Sequence, residues 1–256
     1  MRLMRLRHGG LDYWARLYDD ATARLWTAAP WEGGTETDRL VPIKKGAILP
    51  PVTPSKIVCV GRNYREHAKE LGHEVPPEPL LFMKPPSALL AHEGTVLLPP
   101  QSSRVEHEGE LAVVVGATLR RADVATAARS IGGITCANDV TARDLQRKDV
   151  QFTRAKSFDT FCPIGPWLET EPGELASLSL RTRVNGETRQ DGRVADMVWP
   201  VAELLAYVSS VMTLLPGDVL LTGTPAGVGP LAAGDVVEVE ITGVGTLTHR
   251  VATEPA

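Results

Sequence analysis

Cysteine and aromatic residues are scarce in this chain. The three cysteines, Cys59, Cys136 and Cys162, are odd in number, widely spaced and set among apolar or small neighbours such as Ile57-Val58-Cys59-Val60. That pattern argues against a disulfide framework or a zinc knuckle and predicts reduced core thiols in a reducing compartment. An excess of one charge sign is also missing: the formal net charge is -4, with Lys and Arg scattered along the chain. Without a basic patch there is no electrostatic footprint for a polyanion, so nucleic acid is not expected as a partner. No apolar run approaches the ~20 residues needed to span a bilayer. The stretch Met1-Arg2-Leu3-Met4-Arg5-Leu6-Arg7-His8 is basic, but Gly9-Gly10 and Asp12 arrive before any continuous apolar export segment. The expectation is a cytoplasmic protein that makes no membrane contact.

Hydrophobic residues make up 43% of the chain, enough for a sizeable core, and proline (20) and glycine (23) are plentiful. Many short strands joined by tight turns, with a few helices, follow from that composition: a mixed, β-rich α+β fold. Residues 1–50 carry short segments such as Leu11 to Tyr18 and a turn-rich stretch through Pro30-Trp31-Glu32-Gly33-Gly34, which predicts a small N-terminal β domain. The proline-rich run from Leu49 to Pro54 favours extended chain and is the predicted linker to a second domain over 56–256. There, Lys56 to Gly61 predicts a buried strand, Tyr64 to Leu71 a short helix stopped by Gly72, and Leu111 to Val115 another strand. Asp123 is placed to cap a helix that ends near Gly132-Gly133, after which Ile134 to Ala137 resumes as strand. Pro200 opens the strongest helix, Val201 to Val208. Val237, Val239 and Ile241 alternate with Glu238 and Glu240, the period of a half-buried sheet.

The chemistry concentrates in Glu106-His107-Glu108-Gly109-Glu110-Leu111. Side chains two apart on a strand share a face, so Glu108 and Glu110 point the same way. Alternating Glu in isolation is most often a solvated strand face, and Glu238/Glu240 fits that description. Glu108 and Glu110 differ because they run straight into Ala112-Val113-Val114-Val115, and buried carboxylates need a cation or a proton. Asp139, in Ala137-Asn138-Asp139-Val140, offers a third carboxylate at the end of another strand. Three carboxylates with no convergent His/Cys set favour a hard ion, Mg²⁺, Mn²⁺ or Ca²⁺, over zinc. Arg143 and Gln146 lie three apart, one helical turn beyond Asp139, and can lean over what the ion holds, although a surface pair of Arg143 with Asp144 or Asp149 is the commoner arrangement. Lys156 precedes Phe158 as a single lysine. His67 and Glu70, at i and i+3, can touch on one helix face, where the carboxylate would raise the basicity of the imidazole. The remaining histidines, His8, His73, His92, His107 and His249, lack such a partner pattern and are assigned structural or exposed places. Thr222-Gly223-Thr224-Pro225-Ala226-Gly227-Val228-Gly229 has no Gly-Lys-Ser/Thr ending, so it is a sharp loop near a small ligand and not a nucleotide cradle.

Taken in order, Gly61-Arg62-Asn63-Tyr64 with His67 and Glu70, His107 to Leu111, Asn138-Asp139 with Arg143 and Gln146, Lys156-Ser157-Phe158-Asp159, and Pro216-Gly217-Asp218 leading to the Thr222–Gly229 loop resemble the fumarylacetoacetate hydrolase family from residue 56 to about 250. The resemblance implies a β-sandwich roll as the catalytic domain, commonly dimeric. It implies Mg²⁺ or Mn²⁺ on Glu108, Glu110 and Asp139, a water-activating dyad of His67 and Glu70 on a lid, an oxyanion-stabilising Lys156, and substrate contacts from Arg143, Gln146 and Thr224. Glu106 shares the face of the ligands but falls where the family pattern is not fixed, and it is left out of the expected site. The substrate implied is a small 2-oxo acid or its enol, cleaved at a neighbouring C–C bond by hydrolysis or decarboxylation through an enolate. Isomerisation of a 2-hydroxyhepta-2,4-diene-1,7-dioate or a 5-carboxymethyl-2-hydroxymuconate in aromatic catabolism is the alternative. A metal-stabilised, non-catalytic binding module is the alternative from another class.

Overall fold

The computed structural model describes residues 1–44 and 46–255. Its frame is a 12-stranded sheet whose main path runs Glu36–Pro42, Thr22–Trp26, Leu11–Leu17, Arg2–His8, Cys162–Glu169, Ile131–Asn138, Gly109–Val115, Val219–Leu221, Ile57–Gly61 and Leu80–Lys84. A five-stranded sheet is ordered Glu187–Arg193, Ser179–Val184, Val236–Ile241, Gly245–Thr253 and Thr95–Leu98. A small sheet of Thr141–Ala142, Val105–His107 and Gly229–Pro230 stands beside the site described below.

The large sheet is covered on both faces over its central strands, which is why they are continuous apolar runs instead of alternating ones. Val58, Val60, Leu111, Val113, Ile134 and Cys136 face one core together with Leu180, Val239, Ile241 and Leu247 of the five-stranded sheet and with Leu204, Leu205 and Val208 of the helix Val201–Val211. Ile57, Cys59, Ala112, Val114, Val219 and Leu221 face a second cluster with Val52 and Leu168. All three cysteines are free and buried.

Most elements expected from the pattern are found within a residue or two of their expected bounds, but the helix after Asp123 ends at Arg129, Gly132 and Gly133 belong to the strand Ile131–Asn138 that follows it, and the helix after Pro200 runs to Val211. Asp123 accepts a hydrogen bond from the Thr126 backbone N–H at 2.7 Å and caps the helix Val124–Arg129. Pro200 takes the cap position just outside its helix, where its missing N–H costs nothing. In Val236–Ile241 the aliphatic residues at 237, 239 and 241 are buried, while Glu240 reaches out to Arg183 at 2.7 Å.

The four N-terminal strands form a meander that continues the large sheet, joined to it where Arg2 and Leu3 pair with Glu169 and Leu168. The proline-rich run is packed, not solvent-spanning: Pro51, Val52 and Pro54 are buried. Its end is pinned by Asp218, whose Oδ1 accepts from the Ser55 and Lys56 backbone N–H groups and from Ser55 Oγ, while Oδ2 meets Lys56 Nζ at 2.5 Å. Among the described residues no helix is long and apolar enough to cross a membrane.

Candidate active site and metal centre

Two antiparallel strands bring the carboxylates together. Gly109 pairs with Asn138, so the residue before one and the residue after the other are neighbours, and the Asp139 backbone N–H donates to the Glu108 carbonyl at 2.8 Å. Glu108 and Glu110 share a face, as their spacing requires. Carboxylate oxygens of Glu108, Glu110 and Asp139 lie within 4.8 Å of one another, and all three side chains are buried.

Cations surround two of the three. Lys156, at the end of the helix Thr153–Lys156, places Nζ 2.8 Å from Glu108 Oε2 and 2.6 Å from Asp139 Oδ2. Lys84, at the end of its edge strand and 1% exposed, meets Asp139 Oδ1 at 2.6 Å and the Val140 carbonyl at 3.1 Å. Arg143, which opens the helix Arg143–Lys148, donates from Nε to Glu106 Oε2 at 2.7 Å, from Nη1 to Gln146 Oε1 at 2.5 Å, and from Nη2 to Glu108 Oε1. Glu106 is itself buried and reached by Arg104 from the rim at 2.6 Å. Four buried carboxylates are therefore faced by three buried cations.

Glu110 is the carboxylate left over. Its Oε2 accepts from the Gly223 backbone N–H at 2.7 Å, and no ion pair reaches it among the described residues. Burial, followed by the charges of Asp139 and Glu108, pushes its carboxyl well above the usual range. For Glu108 burial works in the same direction, but Lys156 and Arg143 outweigh it and hold the carboxyl well below that range. Burial opposes charge on Lys156, yet Asp139 and Glu108 more than compensate, so the ammonium is retained. An all-oxygen cluster with one carboxylate lacking a cation fits a hard divalent ion, which would favour the ionised form of Glu110.

The remaining expected residues close over this floor. His67, on the helix Arg65–Glu70, is 5% exposed, with Nδ1 3.2 Å from Glu70 Oε2. Glu70 Oε1 accepts from the Gly227 backbone N–H at 3.0 Å, tying that helix to the glycine-rich loop. Thr224 Oγ1 donates to the Gly109 carbonyl at 2.7 Å. A cavity of about 330 Å³ is lined by His67, Glu108, Glu110, Arg143, Gln146, Lys156 and Thr224, with Arg62, His73 and Arg147 also in its wall. Asp139 lies beneath that wall at 0% exposure, and Glu70 stands behind His67. The nine residues expected from the sequence thus gather in one place. Neither surface pair considered for Arg143 forms: Asp144 accepts from Ser102 and Ser103, and Asp149 pairs with Arg154.

Four participants were not signalled by spacing. Glu106 holds Arg143, and Lys84 holds Asp139. Asn138 accepts from the Glu108 backbone N–H through Oδ1 at 2.8 Å, which leaves its Nδ2 to donate to His249 Nε2 at 2.9 Å. Gln190 reaches Gly109 from the five-stranded sheet, with 2.9 Å between Oε1 and the backbone nitrogen. Glu106 left a trace in the alternation it shares with Glu108 and Glu110, and Asn138 in the Asn138-Asp139 motif.

A two-sheet roll with buried carboxylates, lysines and a histidine–glutamate pair around one cavity defines a class of enzyme, and the comparisons say which. Residues 56–252 match the fumarylacetoacetate (FAA) hydrolase C-terminal family, and residues 1–51 match a family described as Rv2993c-like, N-terminal. The chain belongs to the fumarylacetoacetate hydrolase family. It is 44% identical over 200 residues to a mitochondrial oxaloacetate decarboxylase of Dictyostelium discoideum, covering 76% of this chain and 92% of that one. It is 42% identical over 224 residues to a mitochondrial oxaloacetate tautomerase of Homo sapiens, covering 83% and 71% respectively. The crystal structure of a 2-hydroxyhepta-2,4-diene-1,7-dioate isomerase from Mycobacterium marinum superposes with a TM-score of 0.91 at 41% identity over 100% of both chains.

Proposed function

We propose that this enzyme is divalent-metal-dependent and cleaves a C–C bond, by decarboxylation or hydrolysis, next to the enolisable carbonyl of a small 2-oxo acid. The observation that carries the reading is the buried Glu108–Glu110–Asp139 cluster, with Glu110 lacking a cation, at the floor of a cavity that also holds Lys156 and His67. These three carboxylates would hold Mg²⁺ or Mn²⁺, with Ca²⁺ as a substitute, and the ion supplies Lewis acidity toward the substrate carbonyl.

The side chains divide the other tasks. Lys156, kept charged by Glu108 and Asp139, answers negative charge developing on a substrate oxygen in a site of low dielectric. Glu70 engages Nδ1 of His67, which leaves Nε2 as the basic nitrogen able to take a proton from water or substrate. Arg143 has three donors committed to Glu106, Glu108 and Gln146, so its first task is to brace Glu108, and substrate contact would come from its remaining N–H groups. Gln146, held by Arg143, and the Thr224 hydroxyl would orient the substrate.

The second reading is isomerisation or tautomerisation of a related enol, favoured by the full-length similarity to a protein named as a dioate isomerase and by the relative named as an oxaloacetate tautomerase. Both readings use the same cluster; they differ in whether the proton returns or a bond is lost. The test is turnover of oxaloacetate, an acylpyruvate and an unsaturated hydroxy-dioate with Mn²⁺, with and without EDTA. Metal-dependent release of CO₂ or pyruvate is expected, slowed about 10²- to 10⁴-fold in His67→Ala. Equal turnover in EDTA, or none on any of these substrates, would sink the reading. Proton exchange without bond loss would select the isomerase.

A further inference from the structure

We infer that Gln190 is a positioning residue of this site: its side-chain amide, delivered by the five-stranded sheet, fixes the metal-binding strand and the Thr224 loop relative to each other. The inference rests on the site reading above for its functional consequence, but its geometry stands independently.

The strand Glu187–Arg193 is polar along its length, and Gln190 is the one residue in it that is buried, at 1% exposure. Its amide is fully engaged. Oε1 accepts from the Gly109 backbone N–H at 2.9 Å and faces His107 Nδ1 at 3.3 Å. Nε2 donates to Thr224 Oγ1 at 2.7 Å and to the Pro225 carbonyl at 2.8 Å. Gly109 lies between the ligands Glu108 and Glu110, so one planar group of fixed dimensions spans the ligand strand and the loop opposite.

Three glycines show how closely the hairpin is pressed against both. A Cβ on Gly109 would stand 2.0 Å from Thr182 Oγ1, one on Gly192 2.6 Å from Pro225 Cβ, and one on Gly227 2.0 Å from the Arg189 carbonyl. The Thr224 hydroxyl accepts from Gln190 and donates to the Gly109 carbonyl, which leaves it one lone pair for a ligand. Gln190 therefore dictates which way that hydroxyl is offered. An aliphatic side chain at 190 would strand the Gly109 N–H and the Pro225 carbonyl without partners, a loss the loop can relieve only by moving out toward water.

The experiment is Gln190→Leu, read by amide hydrogen exchange and by steady-state kinetics on oxaloacetate with Mn²⁺. Exchange at Gly109 and at residues 223, 224, 226 and 227 is expected to quicken about tenfold or more, with the helix Val201–Val211 unaffected. KM is expected to rise roughly tenfold, and Thr224→Val should add less in the Gln190→Leu background than in the wild type, since both act through one hydroxyl. Gln190→Glu, which keeps the acceptor toward Gly109 and loses the donor toward Pro225, puts the same question should the leucine variant not fold: the loop amides should quicken and Gly109 should not. Unchanged loop exchange, or independent effects of the two substitutions, would overturn the inference. Exchange requires no substrate, so a wild-type protein inert toward 2-oxo acids would count against the proposed function and leave the structural result legible.

Discussion

At the scale of single residues, the carboxylates of the cluster have opposite relations to stability, which gives a clean contrast. Asp139 is held by two buried ammonium groups, and Asp139→Asn leaves Lys84 and Lys156 undercompensated, a change expected to cost about 3–5 kcal/mol. Glu110 has no cation to lose, so Glu110→Gln should leave the melting temperature in EDTA unchanged or higher. Both substitutions should weaken Mn²⁺ binding by about a hundredfold or more, as read by isothermal titration. A melting temperature that falls equally in both would contradict the charge distribution described here. His249 supplies a pH dependence. Burial lowers its pKa from 6.5 to about 4, and its neutral Nε2 accepts from Asn138. The unfolded chain thus binds a proton that the native state refuses, so stability is full above about pH 6.5 and falls as pH drops toward 4. The difference is on the order of 3 kcal/mol. Melting curves between pH 4 and 7 should flatten in His249→Gln.

The cluster carboxylates Glu108 and Glu110 were legible because alternation on a strand that turns wholly apolar leaves carboxylates no solvated alternative. Lys84, Gln190 and His249 were not, because each finds its partner far along the chain: Lys84 bonds Asp139, Gln190 bonds Gly109, and His249 bonds Asn138. Nothing near them in the sequence distinguishes them from solvated residues.

Among the elements, the same contrast recurs. Most strands buried on both faces were foreseen within a residue or two, as was the helix capped by Asp123; the strand Ile131–Asn138 starts earlier than expected because Gly132 and Gly133 extend it instead of stopping the helix. The hairpin of Ser179–Val184 and Glu187–Arg193 was not foreseen: its second strand buries a single glutamine and carries no hydrophobic period, although Asn185-Gly186, both at positive φ, marks its turn. The glycine-rich loop was foreseen as a sharp turn near a ligand, and the structure adds what bends it. Gly227 has φ +101° and its backbone N–H is bonded to Glu70. Gly227→Ala combines a disfavoured backbone with a 2.0 Å approach to the Arg189 carbonyl. It is expected to cost about 1–3 kcal/mol, measurable by urea unfolding, and to loosen the His67 helix. An alanine variant as stable as the wild type would show that the loop has slack the contacts do not reveal.

For the whole molecule, the family resemblance carries an expectation of a homodimer, so light scattering should give twice the 27.6 kDa of one chain. A monomeric mass at micromolar concentration would refute that. The order of strands has a consequence for how the protein is made. Val219–Leu221 is an interior strand of the large sheet, third from one end of its main path, parallel to Ile57–Gly61 on one side and antiparallel to Gly109–Val115 on the other. The piece that joins Ile57–Gly61 and Leu80–Lys84 to the rest of the sheet therefore leaves the ribosome after both of its neighbours. Until then the strands on either side wait with open edges, a topology that folds slowly and gives chaperones something to hold. A nascent chain arrested before residue 219 would carry all three carboxylates of the cluster yet have no closed floor on which to set them.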